Sequence, residues 1–118
     1  MEKRKKGFHN YTLKGTESAI EYIHKNIYSS IRIADLAEKY DISPSAFKRC
    51  FKEKMGVPVY TYIRKTKMNK AAEMLTSTNM SVTDVAQEVG FLNTSKFSSA
   101  FKDVMGEYPS LYRDKFSF

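Results

Sequence analysis

The chain repeats itself. Residues 33–63, IADLAEKYDISPSAFKRCFKEKMGVPVYTYI, match residues 82–113, VTDVAQEVGFLNTSKFSSAFKDVMGEYPSLYR, at a spacing of 49 to 50 residues. Asp35-Leu36-Ala37 pairs with Asp84-Val85-Ala86. Phe47 and Phe51-Lys52 pair with Phe97 and Phe101-Lys102, Met55-Gly56 with Met105-Gly106, and Tyr62 with Tyr112. The spacing grows by one across the middle, so the second copy carries one extra residue in its turn. One supersecondary unit is used twice.

The unit reads as a short helix, a tight turn and a second helix. Apolar residues recur at helical spacing: Ile33, Leu36, Ala37 and Tyr40, then Phe47, Cys50, Phe51 and Met55. Ser43 is a good N-cap, and Pro44 suits the first helical position, where its missing N–H is no loss. Gly56 ends the helix. In the second copy Ser81 with Asp84 resembles a capping box, and Gly90 and Gly106 punctuate. Helices crossing at a steep angle need a small residue at their contact, and Ala37 and Ala86 stand there. The turn favours a residue tolerant of positive φ: Gly90 supplies it, and Asp41 takes that place in the first copy under strain. This is helix-turn-helix geometry, in which the second helix enters the DNA major groove. The pairs Phe47/Phe51 and Phe97/Phe101 would anchor that helix on the core and leave its other face free. Each feature has an ordinary packing explanation alone. The ordered set occurring twice does not.

Around the repeat, Thr16 is read as capping a first helix with Ala19, Ile20, Ile23 and Ile27 on one face. Residues 59 to about 75 form a longer helix of about 25 Å. Pro109 opens a last short one. No alternating apolar run is long enough for a strand, so the expected class is all-α. Residues 1–15, with Gly7 and Gly15, read as a basic flexible arm or linker stub. The expected division is then 16–58 for the first subdomain, 59–76 for the connecting helix and 77–118 for the second subdomain. At 118 residues each half alone would be marginal.

Charge narrows the partners. The net charge is +7, which favours a polyanion. Residues 1–14 hold Lys3, Arg4, Lys5, Lys6 and Lys14 against Glu2. Residues 44–70 hold Lys48, Arg49, Lys52, Lys54, Arg64, Lys65, Lys67 and Lys70 against Glu53, whereas residues 71–118 have more acids than bases. The single cysteine, Cys50, allows no internal disulfide and fits a reducing cytoplasm. No apolar run approaches the ~20 residues of a membrane span, and no apolar segment follows the charged start. His9 and His24 have no metal-spaced partner. No phosphate loop, paired carboxylates or nucleophile–base set is visible, so no enzyme, metal or cofactor is expected. Nothing resembles the modules that read single-stranded RNA. An interaction module that has lost DNA would have Tyr60, Tyr108 and Phe118 to offer, though each also reads as core or as a packed terminus.

These residues resemble the AraC/XylS family of bacterial regulators across about residues 16–115. The most specific stretch is Val85-Ala86, Val89-Gly90-Phe91, Phe97-Ser98-Ser99-Ala100-Phe101-Lys102, Gly106, Pro109 and Tyr112-Arg113. Tyr62-Ile63, Lys67-Met68, Ala71 and Met74-Leu75 are similar to the family's connecting helix. The resemblance implies seven helices: two helix-turn-helix subdomains joined by a long connecting helix, with recognition helices in successive major grooves of duplex DNA. It implies a transcription regulator, an activator that touches RNA polymerase, acting as a monomeric module. The chain would be a stand-alone short regulator or the DNA-binding fragment of a larger effector- or phosphorylation-controlled one.

Carried over by position, Ser45, Lys48 and Arg49 would read bases from the first recognition helix, and Thr94, Ser95, Ser98 and Ser99 from the second. Arg49 can bond bidentately to guanine, worth roughly 1–3 kcal/mol of discrimination. Lys52, Lys96 and Lys102, with backbone N–H groups near Pro44, suit phosphates. The second helix offers hydroxyls and no arginine, which predicts more permissive reading there. Arg32 stands where a capping Ser or Thr is expected. Lys67 replaces an expected arginine and would make a looser brace.

Overall fold

A computed structural model describes residues 2–117, with side chains from residue 10 to 117. The side chains of Lys3, Arg4, Lys5, Lys6 and His9, and all of Phe118, lie outside the described residues. Seven helices follow in order: α1 Glu2–Lys25, α2 Ile33–Lys39, α3 Pro44–Met55, α4 Val59–Ser77, α5 Val82–Glu88, α6 Thr94–Met105 and α7 Pro109–Phe116. There is no strand among the described residues. The chain divides into two compact units. Unit 1 is Met1–Asn26 with Ile31–Ile63; unit 2 is Ile27–Ser30 with Arg64–Phe118. The connecting helix α4 is therefore no separate linker: its first five residues pack with unit 1 and the remainder with unit 2.

In unit 1, α1 and α2 pack on α3. Ala19, Ile23, Leu36, Ala37, Ile42, Phe47, Cys50, Phe51, Val59 and Ile63 are buried. Phe51 meets Phe47 edge-on at 6.0 Å and Tyr62 at 5.4 Å, the arrangement favoured by ring quadrupoles. The expectation of a flexible arm through residue 15 is corrected here, because α1 starts upstream of Thr16. The reason is packing that no local pattern announces. Thr12 and Thr16 are both buried. A Cβ on Gly15 would lie 3.3 Å from Ile42 Cγ2 and 3.4 Å from the Tyr40 carbonyl oxygen. This glycine permits a close helix contact and does not mark a linker. Thr16 caps nothing: it is fully buried in mid-helix, and its hydroxyl has no hydrogen-bond partner among the described residues.

In unit 2, Met68, Ala71, Ala72, Leu75, Val85, Ala86, Val89, Phe97, Ala100 and Phe101 form one cluster. Phe91, Phe97, Phe101, Tyr112 and Phe116 make a continuous run of ring contacts at 4.6–5.8 Å. Ile27 is buried.

The two turns match bond for bond. In the first, Asp41 N–H donates to the Glu38 carbonyl and Ile42 N–H to that of Ala37. In the second, Gly90 N–H donates to Gln87 and Phe91 N–H to Ala86. Gly90 has φ +87 and Asp41 φ +55, the one described non-glycine residue at positive φ, so Asp41 carries the strain expected of it. Tyr11, on α1, donates its hydroxyl to Asp41 Oδ2 at 2.9 Å. That hydrogen bond, before burial and the carboxylate's charge, raises the Tyr11 phenol above its ordinary pKa of 10.0. The extra residue of the second turn is Leu92, which is wholly exposed, at 104%.

Candidate nucleic-acid interface

Helix α3 begins as its sequence requires. Ser43 Oγ accepts from the Ala46 N–H at 3.1 Å, and Pro44 occupies the first turn; such a cap contributes about 1 kcal/mol. Gly56, at φ +81, closes the helix with its N–H on the Lys52 carbonyl. With Phe47, Cys50 and Phe51 turned inward, Pro44, Ser45, Lys48, Arg49 and Lys52 are all exposed. Spacings of three and four put Ser45, Lys48, Arg49 and Lys52 along one stripe. Lys48, Arg49 and Lys52 share one cleft with Ile33, Pro58, Val59 and Tyr60. The ion pairs formed among the described residues are Arg64–Asp103, Lys70–Glu73 and Lys115–Glu107. None uses the three cations of this cleft.

Helix α6 repeats the plan with different chemistry. Its N-cap is Asn93, whose Oδ1 accepts from the Lys96 N–H at 3.0 Å. Phe97, Ala100 and Phe101 are buried; Ser95, Lys96, Ser99 and Lys102 are exposed; Thr94 and Ser98 are half-buried. Ser95, Ser99 and Lys102 lie on the stripe opposite the phenylalanines, with Thr94 and Ser98 recessed and Lys96 to one side. Lys102 Nζ sits 4.4 Å over the Tyr108 ring, a cation–π contact that fixes its stem. Asp103 is paired with Arg64 at 2.9 Å. Both members are exposed enough that the pair contributes no more than about 1 kcal/mol.

The structure also gives particular partners to residues that the sequence marks only in general terms. Lys67 is buried, at 8% exposure, and donates to the Ser29 carbonyl at 2.6 Å and the Val89 carbonyl at 3.2 Å. It thus ties the segment before α2 to the end of α5, within unit 2. Burial lowers its pKa below the ordinary 10.5. Arg113 donates from Nε to the Leu75 carbonyl at 2.8 Å and from a terminal nitrogen to the Met80 carbonyl, so α7 satisfies carbonyls at the end of α4 and ahead of α5. Arg32 does stand at the N-cap of α2, with no side-chain cap bond. Tyr60 is 67% exposed and Tyr108 47%, so neither is core. Among the described residues no helix is long and apolar enough to cross a membrane, and no group of three His, Cys, Asp or Glu could hold a metal.

Two capped helices, each set on a Phe-x-x-x-Phe anchor behind a positive-φ turn, define a tandem helix-turn-helix domain. A family model described as a helix-turn-helix domain matches residues 36–115. The C-terminal domain of AraT, a response regulator from Geobacillus stearothermophilus, is 31% identical with a TM-score of 0.85, over 88% of this chain and 87% of that one. The uncharacterized HTH-type transcriptional regulator YfiF of Bacillus subtilis is 32% identical over 94% of this chain and 35% of its own length. The DNA-binding domain of AdpA, solved in complex with a target DNA, shares the fold at 20% identity and a TM-score of 0.81, over 86% of this chain and 91% of that one. The chain belongs to the AraC family of helix-turn-helix domains. It spans about a third of the length of the curated relatives it matches.

Proposed function

We propose that the chain binds duplex DNA sequence-specifically as the DNA-binding part of a bacterial transcription regulator. In this reading α3 and α6 each enter a major groove. The observation that carries it is the exposed stripe Ser45, Lys48, Arg49 and Lys52 on a capped helix whose other face is locked by Phe47 and Phe51. Arg49 and Lys48 are the base readers. Lys52 and the N–H groups of the first turn of α3 bind phosphates. On α6, Ser95 and Ser99 reach further than the recessed Thr94 and Ser98, and Lys96 and Lys102 bind phosphates. Hydroxyls without an arginine discriminate less, so α3 sets specificity while α6 adds affinity. The relatives named as transcription regulators, and the AdpA domain on its target DNA, support this assignment. Activation through contact with RNA polymerase, by a module acting as a monomer in the cytoplasm and without catalysis, completes the proposal.

The test is selection by the chain from a random duplex pool, followed by footprinting and a salt titration. Enrichment of a defined site, with affinity falling linearly in log salt, is expected. No enrichment, or affinity indifferent to salt, would refute it.

A further inference from the structure

Tyr60 is the feature of the cleft that the helix-turn-helix reading does not use. It lies in the first turn of α4, outside the repeat's recognition helix, yet lines the same cleft as Lys48, Arg49 and Lys52. The residue is 67% exposed, and its hydroxyl has no hydrogen-bond partner among the described residues. The cleft, about 510 Å³, has an apolar floor of Ile33, Pro58 and Val59 and a rim of three cations without acidic partners.

Like charges gathered without counter-charge repel one another until an anion joins them. The occupant must therefore be anionic at several regularly placed points and apolar between them. A DNA strand meets both demands, with a phosphate for Lys52, deoxyribose faces for the floor, and the edge of the read groove beside Lys48 and Arg49. A tyrosine hydroxyl at its edge is a phosphate donor of the kind that positions proteins on duplexes. The repeat sharpens the point. Offset by 50, Tyr60 corresponds to Ser110 and Pro58 to Tyr108. In unit 2 the tyrosine holds Lys102 from below and leaves no phenol at the matching place. Of the two repeats, only that of unit 1 has a tyrosine at this position.

We infer that the cleft between α3 and the start of α4 seats the sugar–phosphate backbone flanking the groove that α3 reads, with the Tyr60 hydroxyl donating to a phosphate and its ring lying along a deoxyribose. This rests on the DNA-binding reading and adds a residue to it.

The test uses the whole chain, a duplex it has enriched from a random pool, and an unrelated duplex of equal length. Tyr60→Phe removes only the hydroxyl of an exposed side chain, so its melting curve should match the wild type. It should bind both duplexes about tenfold more weakly, and Tyr60→Ala at least as weakly. No charge is lost, so the slope of log affinity against log salt should stay as in the wild type, whereas Lys52→Ala should reduce it by about one. Ethylation interference should lose one phosphate in Tyr60→Phe. Wild-type affinity in Tyr60→Phe on both duplexes would overturn the inference while leaving DNA binding intact; a cleft built for an acidic peptide would give that result. A loss confined to the enriched duplex would make Tyr60 a base reader and also overturn it. A wild type indifferent to salt on every duplex would overturn both readings.

Discussion

Lys67→Met probes the buried lysine of unit 2. Methionine fills a similar volume but removes the charge and both donors. The Val89 carbonyl, bonded in a buried setting at 3.2 Å, would be left unpaired at a cost of about 1–3 kcal/mol. The Ser29 carbonyl, bonded at 2.6 Å in a half-buried setting, can recover water and would lose about 0.5–1.5 kcal/mol. Against this, the variant no longer desolvates an ammonium that has no carboxylate beside it, which offsets part of the loss. The hydrogen bonds outweigh that relief, and a net destabilisation of about 1–2 kcal/mol is expected. For a unit this small it lowers Tm by roughly 5–15 °C, read by circular dichroism at neutral pH. The pH dependence gives a second reading. Burial holds the folded-state pKa of Lys67 below 10.5. Between those two values the unfolded chain keeps a proton that the folded chain has released, so stability rises with pH. The neutral amine still has donors for both carbonyls. The gap between wild type and Lys67→Met should therefore be constant below the folded pKa and widen as pH climbs towards 10.5. A methionine variant as stable as the wild type, or a gap that narrows, would refute this account of the lysine.

Arg49→Ala should relax sequence preference in one part of the footprint, with a loss of roughly 1–3 kcal/mol on the selected site, while Lys52→Ala weakens all sequences about equally. Ser98→Ala, at a recessed hydroxyl, should change affinity far less than Arg49→Ala in the same binding assay, and an equal loss would show that α6 reads more than its exposure suggests. Thr16→Val replaces a buried hydroxyl without a partner among the described residues by a methyl group, and should stabilise unit 1 by about 1 kcal/mol in denaturant titration; destabilisation would mean that the hydroxyl is satisfied.

What was legible in the sequence was whatever acts over a few residues. Ser43, Gly56, Gly90 and Gly106 declared their helix ends, Asp41 its left-handed backbone, and the two Phe pairs the inward faces of α3 and α6. The repeat made each of these doubly visible. The extent of α1 was hidden because residues up to 15 carry no apolar period; Gly15 acquires meaning only against Tyr40 and Ile42, far along the chain. What Lys67 and Arg113 hold was hidden for a related reason. Their partners are carbonyl oxygens, which every residue has, so nothing in the sequence marks Ser29, Val89, Leu75 or Met80 as acceptors. Tyr60 reads in the sequence as core or as a protein contact, and only its exposure beside Lys48, Arg49 and Lys52 separates it from Tyr62.

The insertion at Leu92 has a consequence for how such a domain diversifies. The ladder of turn bonds, Gly90 to Gln87 and Phe91 to Ala86, is complete before Leu92 is reached, and the Asn93 cap that starts α6 is complete after it. A residue between two finished motifs, wholly exposed, can be gained or lost without either motif noticing. The two repeats are thus free to differ in length at one position while their turn bonds and caps stay alike. A family built this way can alter the approach to its second recognition helix in small steps, each of which still folds.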